Sequence, residues 1–304
     1  MFAVMGVTGQ VGGAVATRLL TQGAKVRTIA RDPDKAAMWA ERGCEVATAD
    51  VNDANSLRQA FTGTEGAFVM LPPMFDPSPG FPEARRAIAN LHRALSSTRI
   101  ERVVALSTIG AQQERESLLY QLHLLEEELG TLPLPITFLR PAWFLENTSW
   151  DIAPARDSGV VKSFLQPLDR RFPMIATRDV GQAAAELLQE QWNGRRVVEI
   201  EGLSRVTPNE IARELASLMN RDVRMQVVPR EAWEATFRSA GMKNPIPRIQ
   251  MLDGFNEGWL EFESGASASR KTPTSLQEAL GHLVARLESH ETNRLENKGR
   301  VSEE

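Results

Sequence analysis

A chain of 304 residues with 42% hydrophobic content can bury a core the size of one large α/β domain or of two unequal lobes. Its 35 basic and 39 acidic residues are spread along the length and leave a formal net charge of −4, so no basic stripe exists to neutralise a nucleic-acid backbone. Cys44 is the only cysteine and reads as buried filler, which excludes an internal disulfide and a multi-thiolate metal site; redox chemistry would have to come from a bound cofactor.

The first half alternates short β-branched runs with helical periodicity. Phe2 to Met5, Lys25 to Ala30, Glu45 to Ala49, Gly66 to Leu71, Arg102 to Ser107 and Ile136 to Leu139 read as strands separated by one helix each. That rhythm predicts parallel pairing through right-handed crossovers, hence a Rossmann-type α/β doubly wound parallel sheet. The first strand begins near Phe2, leaving no room for a leader peptide, and no apolar run approaches the ~20 residues that span a bilayer, so a cytoplasmic protein without membrane contact is expected. After Arg140-Pro141 the pattern departs from the sheet, with an aromatic stretch from Trp143 to Leu165 and a turn rich in Pro and Arg at 167–173. A helix from Asp179 to Gln191 and a strand from Arg196 to Ile200 return to it. Thr207-Pro208-Asn209-Glu210 opens a further helix with an N-cap, a first-turn proline and a capping-box glutamate. The expected organisation is a dinucleotide-binding domain from 1–142 and 175–202, a smaller α+β C-terminal lobe from 143–174 and 203–290, and a disordered tail at 291–304.

Gly6, Gly9 and Gly12 lie where a strand turns into an apolar-periodic helix carrying Val11, Val15, Leu19 and Leu20. Backbone amides at such a helix start face a diphosphate with the dipole behind them, and side chains would block the approach. Gly13 adds close packing, and Thr8 and Gln10 offer polar contacts. The alternative is a glycine-rich turn without a ligand. The second strand runs into Arg31, with Lys35 one helical turn on; a basic residue there accommodates a ribose 2′-phosphate, which favours NADP(H) over NAD(H). Asp32 and Asp34 flank these residues, and a carboxylate there would instead hold a ribose. Asp50 and Val51, ending the third strand, either meet the adenine or place Asp50 as cap for the helix near Asp53. Leu71-Pro72-Pro73 ends the fourth strand on the same carboxyl edge, as a groove wall or as a simple strand stop.

Together the segments GVTGQVGG at 6–13, Arg31-Asp32-Pro33 with Lys35, FVMLPP at 68–73, LRPAWFLEN at 139–147, MIATRDVGQAAAELL at 174–188 and VTPNEIARELA from Val206 resemble the NmrA-like atypical short-chain dehydrogenase/reductase family. That family includes NAD(P)H-dependent quinone and azo-dye reductases and redox-sensing regulators, and the resemblance spans nearly the whole chain. It implies that Gly6, Thr8, Gly9, Gln10 and Val11 hold the pyrophosphate, Arg31 and Lys35 the adenosine phosphate, and Asp50 and Val51 the adenine. Leu71 and Pro72 would line the cofactor groove, and Ser107, Pro141 and Phe144 would border the nicotinamide. Trp143, Phe144 and Asn147 would open the substrate pocket, and the Asp179 helix would be scaffold.

Active short-chain dehydrogenases use a Tyr and a Lys four residues later as an acid-base pair. Tyr120 is the only tyrosine here, position 124 is Leu, and no lysine lies between Lys35 and Lys162, so Tyr120 reads as packing. In many NmrA-like reductases a His replaces that Lys, and His123 is the catalytic candidate in the matching helix, although counting back from Arg140 reaches Leu122. The alternative is a helix-face histidine beside Glu126, Glu127 and Glu128. Two functions follow: an NADPH-dependent reductase of a quinone-like conjugated small molecule, or a non-catalytic NADP(H) sensor acting through a protein partner. A sugar-nucleotide epimerase or dehydratase would need the missing Tyr base.

Overall fold

The computed structural model describes residues 1–265 and 267–287. The first half runs β1 (Phe2–Met5), α1 (Gln10–Thr21), β2 (Val26–Ala30), α2 (Pro33–Glu41), β3 (Glu45–Thr48), α3 (Ala54–Phe61), β4 (Gly66–Val69), α4 (Pro82–Ser96), β5 (Arg102–Leu106), α5 (Tyr120–Leu129) and β6 (Ile136–Pro141). Then come β7 (Trp143–Phe144), a 3-10 turn at Leu145–Thr148, α6 (Ser149–Ser158), β8 (Val160–Ser163), β9 (Met174–Ile175), α7 (Thr177–Gln189) and β10 (Arg195–Glu201). The remainder holds α8 (Pro208–Met219), β11 (Arg224–Val227), α9 (Trp233–Ser239), α10 (Ile246–Glu257), β12 (Arg270–Lys271) and helical residues 276–287. The tail expected at 291–304 lies outside the described residues.

Eight strands form one sheet in the order β12-β10-β6-β5-β4-β1-β2-β3, each neighbouring pair parallel. The order reverses at β1, which opens a crevice at the carboxyl ends of the strands. Successive side chains of β1 alternate between layers: Phe2 and Val4 pack with α1, α2 and α7, while Ala3 and Met5 pack with α3, α4 and α5. Burial on both faces is why these strands are apolar throughout rather than alternating. β4 stops at Val69, short of the expected Leu71, ahead of Pro72 and Pro73, which have no N–H to donate to a ladder. β6 instead runs on to Pro141, whose carbonyl accepts from the Ile109 amide at 2.9 Å.

The span expected as the smaller lobe forms two parallel ladders, β7 with β9 and β8 with β11. It also donates β12 to the large sheet, Lys271 pairing with Glu201 of β10, so the eighth strand comes from that span. The α8 capping box is present: Thr207 Oγ1 accepts from the Glu210 amide at 3.0 Å, and the Glu210 carboxylate accepts from the Thr207 amide at 2.8 Å. Among the described residues no helix is long and apolar enough to cross a membrane, and no cluster of His, Cys, Asp or Glu could hold a metal ion.

α7 crosses α1 at a glycine. A Cβ on Gly181 would lie 2.3 Å from Ala14 Cβ and 2.9 Å from the Val11 carbonyl oxygen, so the crossing admits no side chain. Buried Asp179, on the same helix, accepts from the Thr274 hydroxyl at 2.7 Å and the Thr274 amide at 3.1 Å, tying the C-terminal segment to the scaffold. Gly181→Val is expected to cost about 1–3 kcal/mol or more through overpacking, read as a lower urea midpoint at unchanged slope. An unchanged midpoint would mean that the helices separate freely.

Candidate functional site

The chain leaves β1 through Gly6 at φ 70°, a conformation that favours glycine, and the Gly9 amide donates back to the Gly6 carbonyl at 2.9 Å. Gly9 is the N-cap of α1, and neither a side-chain cap nor a first-turn carboxylate occupies the amides there. A Cβ on Gly12 would sit 2.4 Å from the carbonyl oxygens of both Gly6 and Met5, so the tight turn depends on that glycine. Thr8, Gly9 and Gln10 are exposed on the loop, whereas Val11 is buried in the core and offers only backbone. This open, positively polarised helix start is a cradle into which a pyrophosphate fits. The Gln10 side chain is held by α7, its Oε1 accepting from the Thr177 hydroxyl at 3.1 Å.

Beyond β2, Arg31 is exposed and has no hydrogen bond or ion pair with any described residue. Its rival carboxylate is engaged: Asp32 caps α2 by accepting from the Asp34 amide at 3.1 Å, and Lys35 Nζ stands 3.8 Å from it. Beyond β3, Asp50 does not cap α3; Asp53 does, accepting from the Asn55 amide at 2.9 Å. Asp50 instead folds its own loop by accepting from the Asn52 amide at 2.8 Å, and Asn90 fixes the Val51 carbonyl from α4 at 3.1 Å. Leu71, after β4, is buried, and Pro72 is half-buried beside it.

Ser107, just past β5, is buried and donates to Glu126 Oε1 at 2.5 Å. Glu126 takes a bidentate grip on Arg140, at 2.8 and 2.6 Å. Arg140 is 4% exposed and also meets Glu263 at 2.7 Å and Glu199 at 3.5 Å. Burial alone would lower its pKa, but Glu126 and Glu263 outweigh that and hold it above the usual arginine value. In α5, His123 has Nδ1 at 2.9 Å from the Ala111 carbonyl and Nε2 at 3.5 Å from Glu127, and its ring stacks on Tyr120, centroids 5.0 Å apart. Pro141 is buried at the end of β6; Trp143 and Phe144 follow, half-buried, and Asn147 is exposed. Trp150, the far end of the aromatic stretch, is 81% exposed and stands away from this edge's packing.

The loop glycines, Arg31, Asp50, Leu71, Ser107 and Pro141 thus all lie at or just past the carboxyl ends of adjacent strands, the edge where ligands of such sheets lie. A depression lined by Glu101, Arg102, Gln191, Trp192 and Asn193 lies at the opposite, amino edge. Residues 6–191, more than half of the chain, match the model of a family described as NAD(P)H-binding. The chain belongs to the NAD(P)H-binding family. Quinone oxidoreductase 2 of Escherichia coli is 25% identical over 291 residues, covering 93% of this chain and 98% of that protein. An NmrA-like family domain-containing oxidoreductase from Cladobotryum sp. is 27% identical over 269 residues, covering 77% and 78%. An Escherichia coli NADPH-dependent quinone oxidoreductase solved with NADPH superposes with a TM-score of 0.77 at 24% identity over 93% of this chain and 99% of that one, which speaks for the fold.

This NAD(P)H-binding chain carries polar residues that no motif announces. Glu126 reads in sequence as one of three solvated glutamates, and only the sheet topology brings it under Arg140. Glu146 accepts from the Thr177 amide with both oxygens at 3.0 Å, capping α7 beside Gln10. Asp76, after β4, accepts from the amides of Lys243 and Asn244 at 2.9 and 2.7 Å, and these bonds hold its carboxyl below the usual range. Asp151, one turn past Asn147, is pushed up to about 7 by burial.

Two outcomes test this geometry. Gly12→Val is expected to abolish NADPH binding by calorimetry at a temperature where circular dichroism still shows the folded state, with a lowered urea midpoint; retained binding would separate the cradle from the cofactor. For Asp151 the folded pKa lies above the unfolded ~3.9, so its stabilising contribution is complete below that value and disappears as pH rises through about 7. Asp151→Asn should therefore raise the melting temperature relative to wild type at about pH 8, with the gain shrinking toward about pH 5.

Proposed function

We propose that the protein is a reductase that uses NADPH to reduce a flat conjugated acceptor of the quinone class. The observation that carries this reading is the open glycine cradle on the same strand edge as Trp143 and Phe144, with no tyrosine-lysine pair between them. Relatives named as a quinone oxidoreductase and an azoreductase support it. The relatives reported above are oxidoreductases, and none of these findings supports a sensor working through a protein partner.

Bound NADPH supplies a hydride, that is two electrons and one proton; the second proton of the hydroquinone comes from water. The cradle amides and Arg31 hold the phosphates, with Lys35 beside them, while Asp50 and Val51 flank the adenine and Leu71 and Pro72 line the groove. Ser107, Pro141 and Phe144 border the nicotinamide, and Trp143 and Asn147 bound the acceptor. NADPH is favoured over NADH because the carboxylate that would grip a ribose, Asp32, is committed to capping α2 and the neighbouring Arg31 is free. In this reading His123 packs Tyr120 against the Ala111 loop, and its replacement by Gln leaves kcat within a few-fold.

Arg31→Ala is expected to raise KM for NADPH roughly tenfold or more, the scale of one lost hydrogen bond to a charged group, with KM for NADH unchanged. Equal losses with both cofactors would overturn the phosphate role. The reductase reading itself fails if steady-state NADPH oxidation across a panel of quinones never exceeds the rate without enzyme.

A further inference from the structure

α10 is pinned over the carboxyl ends of three strands, at its start by contacts after β4 and β5 and in its last turn by one after β6. After β4, Asp76 holds the Lys243 and Asn244 amides, and Asn244 Nδ2 donates to the Pro77 carbonyl at 2.8 Å. After β5, the Leu118 amide donates to the Pro247 carbonyl at 2.7 Å. After β6, Trp143 packs edge-on against Phe255 of α10, centroids 5.0 Å apart. Arg248 lies in that pinned first turn, two helical turns ahead of Phe255 and so on the stripe of α10 whose far end meets Trp143.

Arg248 is half-buried, yet it makes no hydrogen bond or ion pair with any described residue. Its contact is the face of Phe237, 4.8 Å from guanidinium carbon to ring centroid. Arg27, Arg102, Arg140, Arg205 and Arg230 each meet a carboxylate. Burial without a counter-charge pulls the Arg248 pKa down, but a guanidinium stays protonated, so its lost hydration is left uncompensated in the protein alone. The ring holds the guanidinium plane and leaves its N–H edge for a planar or tetrahedral oxyanion.

We propose that Arg248 is the specificity-determining residue of the acceptor pocket and selects conjugated acceptors that carry an anionic group, a carboxylate, sulfonate or phosphate. The proposal rests on the reductase reading for its acceptor class, and on the pinning of α10 for the position of the charge. The test compares anthraquinone sulfonate with uncharged menadione in the wild type, Arg248→Lys and Arg248→Met, the last keeping the packing volume over Phe237. Turnover with NADPH is measured beside equilibrium binding of the sulfonate, followed by tryptophan quenching with NADP+ present.

Wild type should bind the sulfonate, and Arg248→Met should lose about tenfold or more in that affinity and in kcat/KM, through KM, with menadione turnover unchanged and Arg248→Lys intermediate. Equal losses for both quinones would make Arg248 a packing residue and overturn the proposal, as would sulfonate binding that is absent in wild type or insensitive to the substitution. If neither quinone turns over in wild type, the reductase reading fails, while sulfonate binding lost only in Arg248→Met would still place the anion subsite at Arg248.

Discussion

One guanidinium, that of Arg140, is shared by four parts of the chain. It comes from the next-to-last residue of β6, is gripped by Glu126 from α5, and meets Glu199 of β10 and Glu263 of the C-terminal span. A buried ionic cluster of this kind is weak support for stability, because desolvating the charges offsets much of their attraction. Its consequence is positional. Removing the arginine would leave Glu126 and Glu199 buried without their cation, so the arrangement tolerates few alternatives. Glu199 also accepts from the Glu263 and Ser264 amides, at 2.8 and 3.1 Å, which fixes the lobe's chain against the sheet next to the site.

A second connection joins the glycine cradle to the aromatic side. Gln10 of the loop meets Thr177, the Thr177 amide is capped by Glu146, and Glu146 belongs to the turn that carries Asn147. The close crossing at Gly181 holds α7 against α1, so this polar chain begins on a rigid base. The glycine loop and the turn that carries Asn147 are therefore held to a common helix pair.

The glycine loop, the alternation of strands and helices and the α8 capping box were legible in the sequence because each depends on neighbours within a few residues: a strand, a turn and a helix start. Strand limits near Pro72 and Pro141 shifted by two residues, since ladder ends depend on the partner strand. Of the two readings of Asp50, the alternative as a cap for α3 is the one the structure excludes, because Asp53 is better placed by one helical spacing. Arg140, Glu126, Glu199 and Glu263 could not be joined from sequence, as their separations carry no periodicity and only the parallel topology superposes them. Arg248 was invisible for the opposite reason: its significance is the lack of a partner, which only three-dimensional packing discloses.

The polar wiring of the edge also limits the chemistry available there. Ser107 donates to Glu126 and so does not offer its proton to an acceptor oxygen while that bond stands. The only tyrosine is packed between Phe81 and the His123 ring, centroids 5.8 and 5.0 Å away. Reducing an isolated ketone leaves an alkoxide, a strong base that needs a positioned acid as it forms. A hydroquinone anion resembles a phenolate, whose conjugate acid has a pKa of about 10, and delocalisation lowers the demand for such an acid enough for water to serve. On the reductase reading proposed above, an edge whose Ser107 hydroxyl is committed to Glu126 and whose Tyr120 ring is stacked would suit acceptors that carry their own electron sink, and a cation such as Arg248 would discriminate among them without taking part in proton transfer.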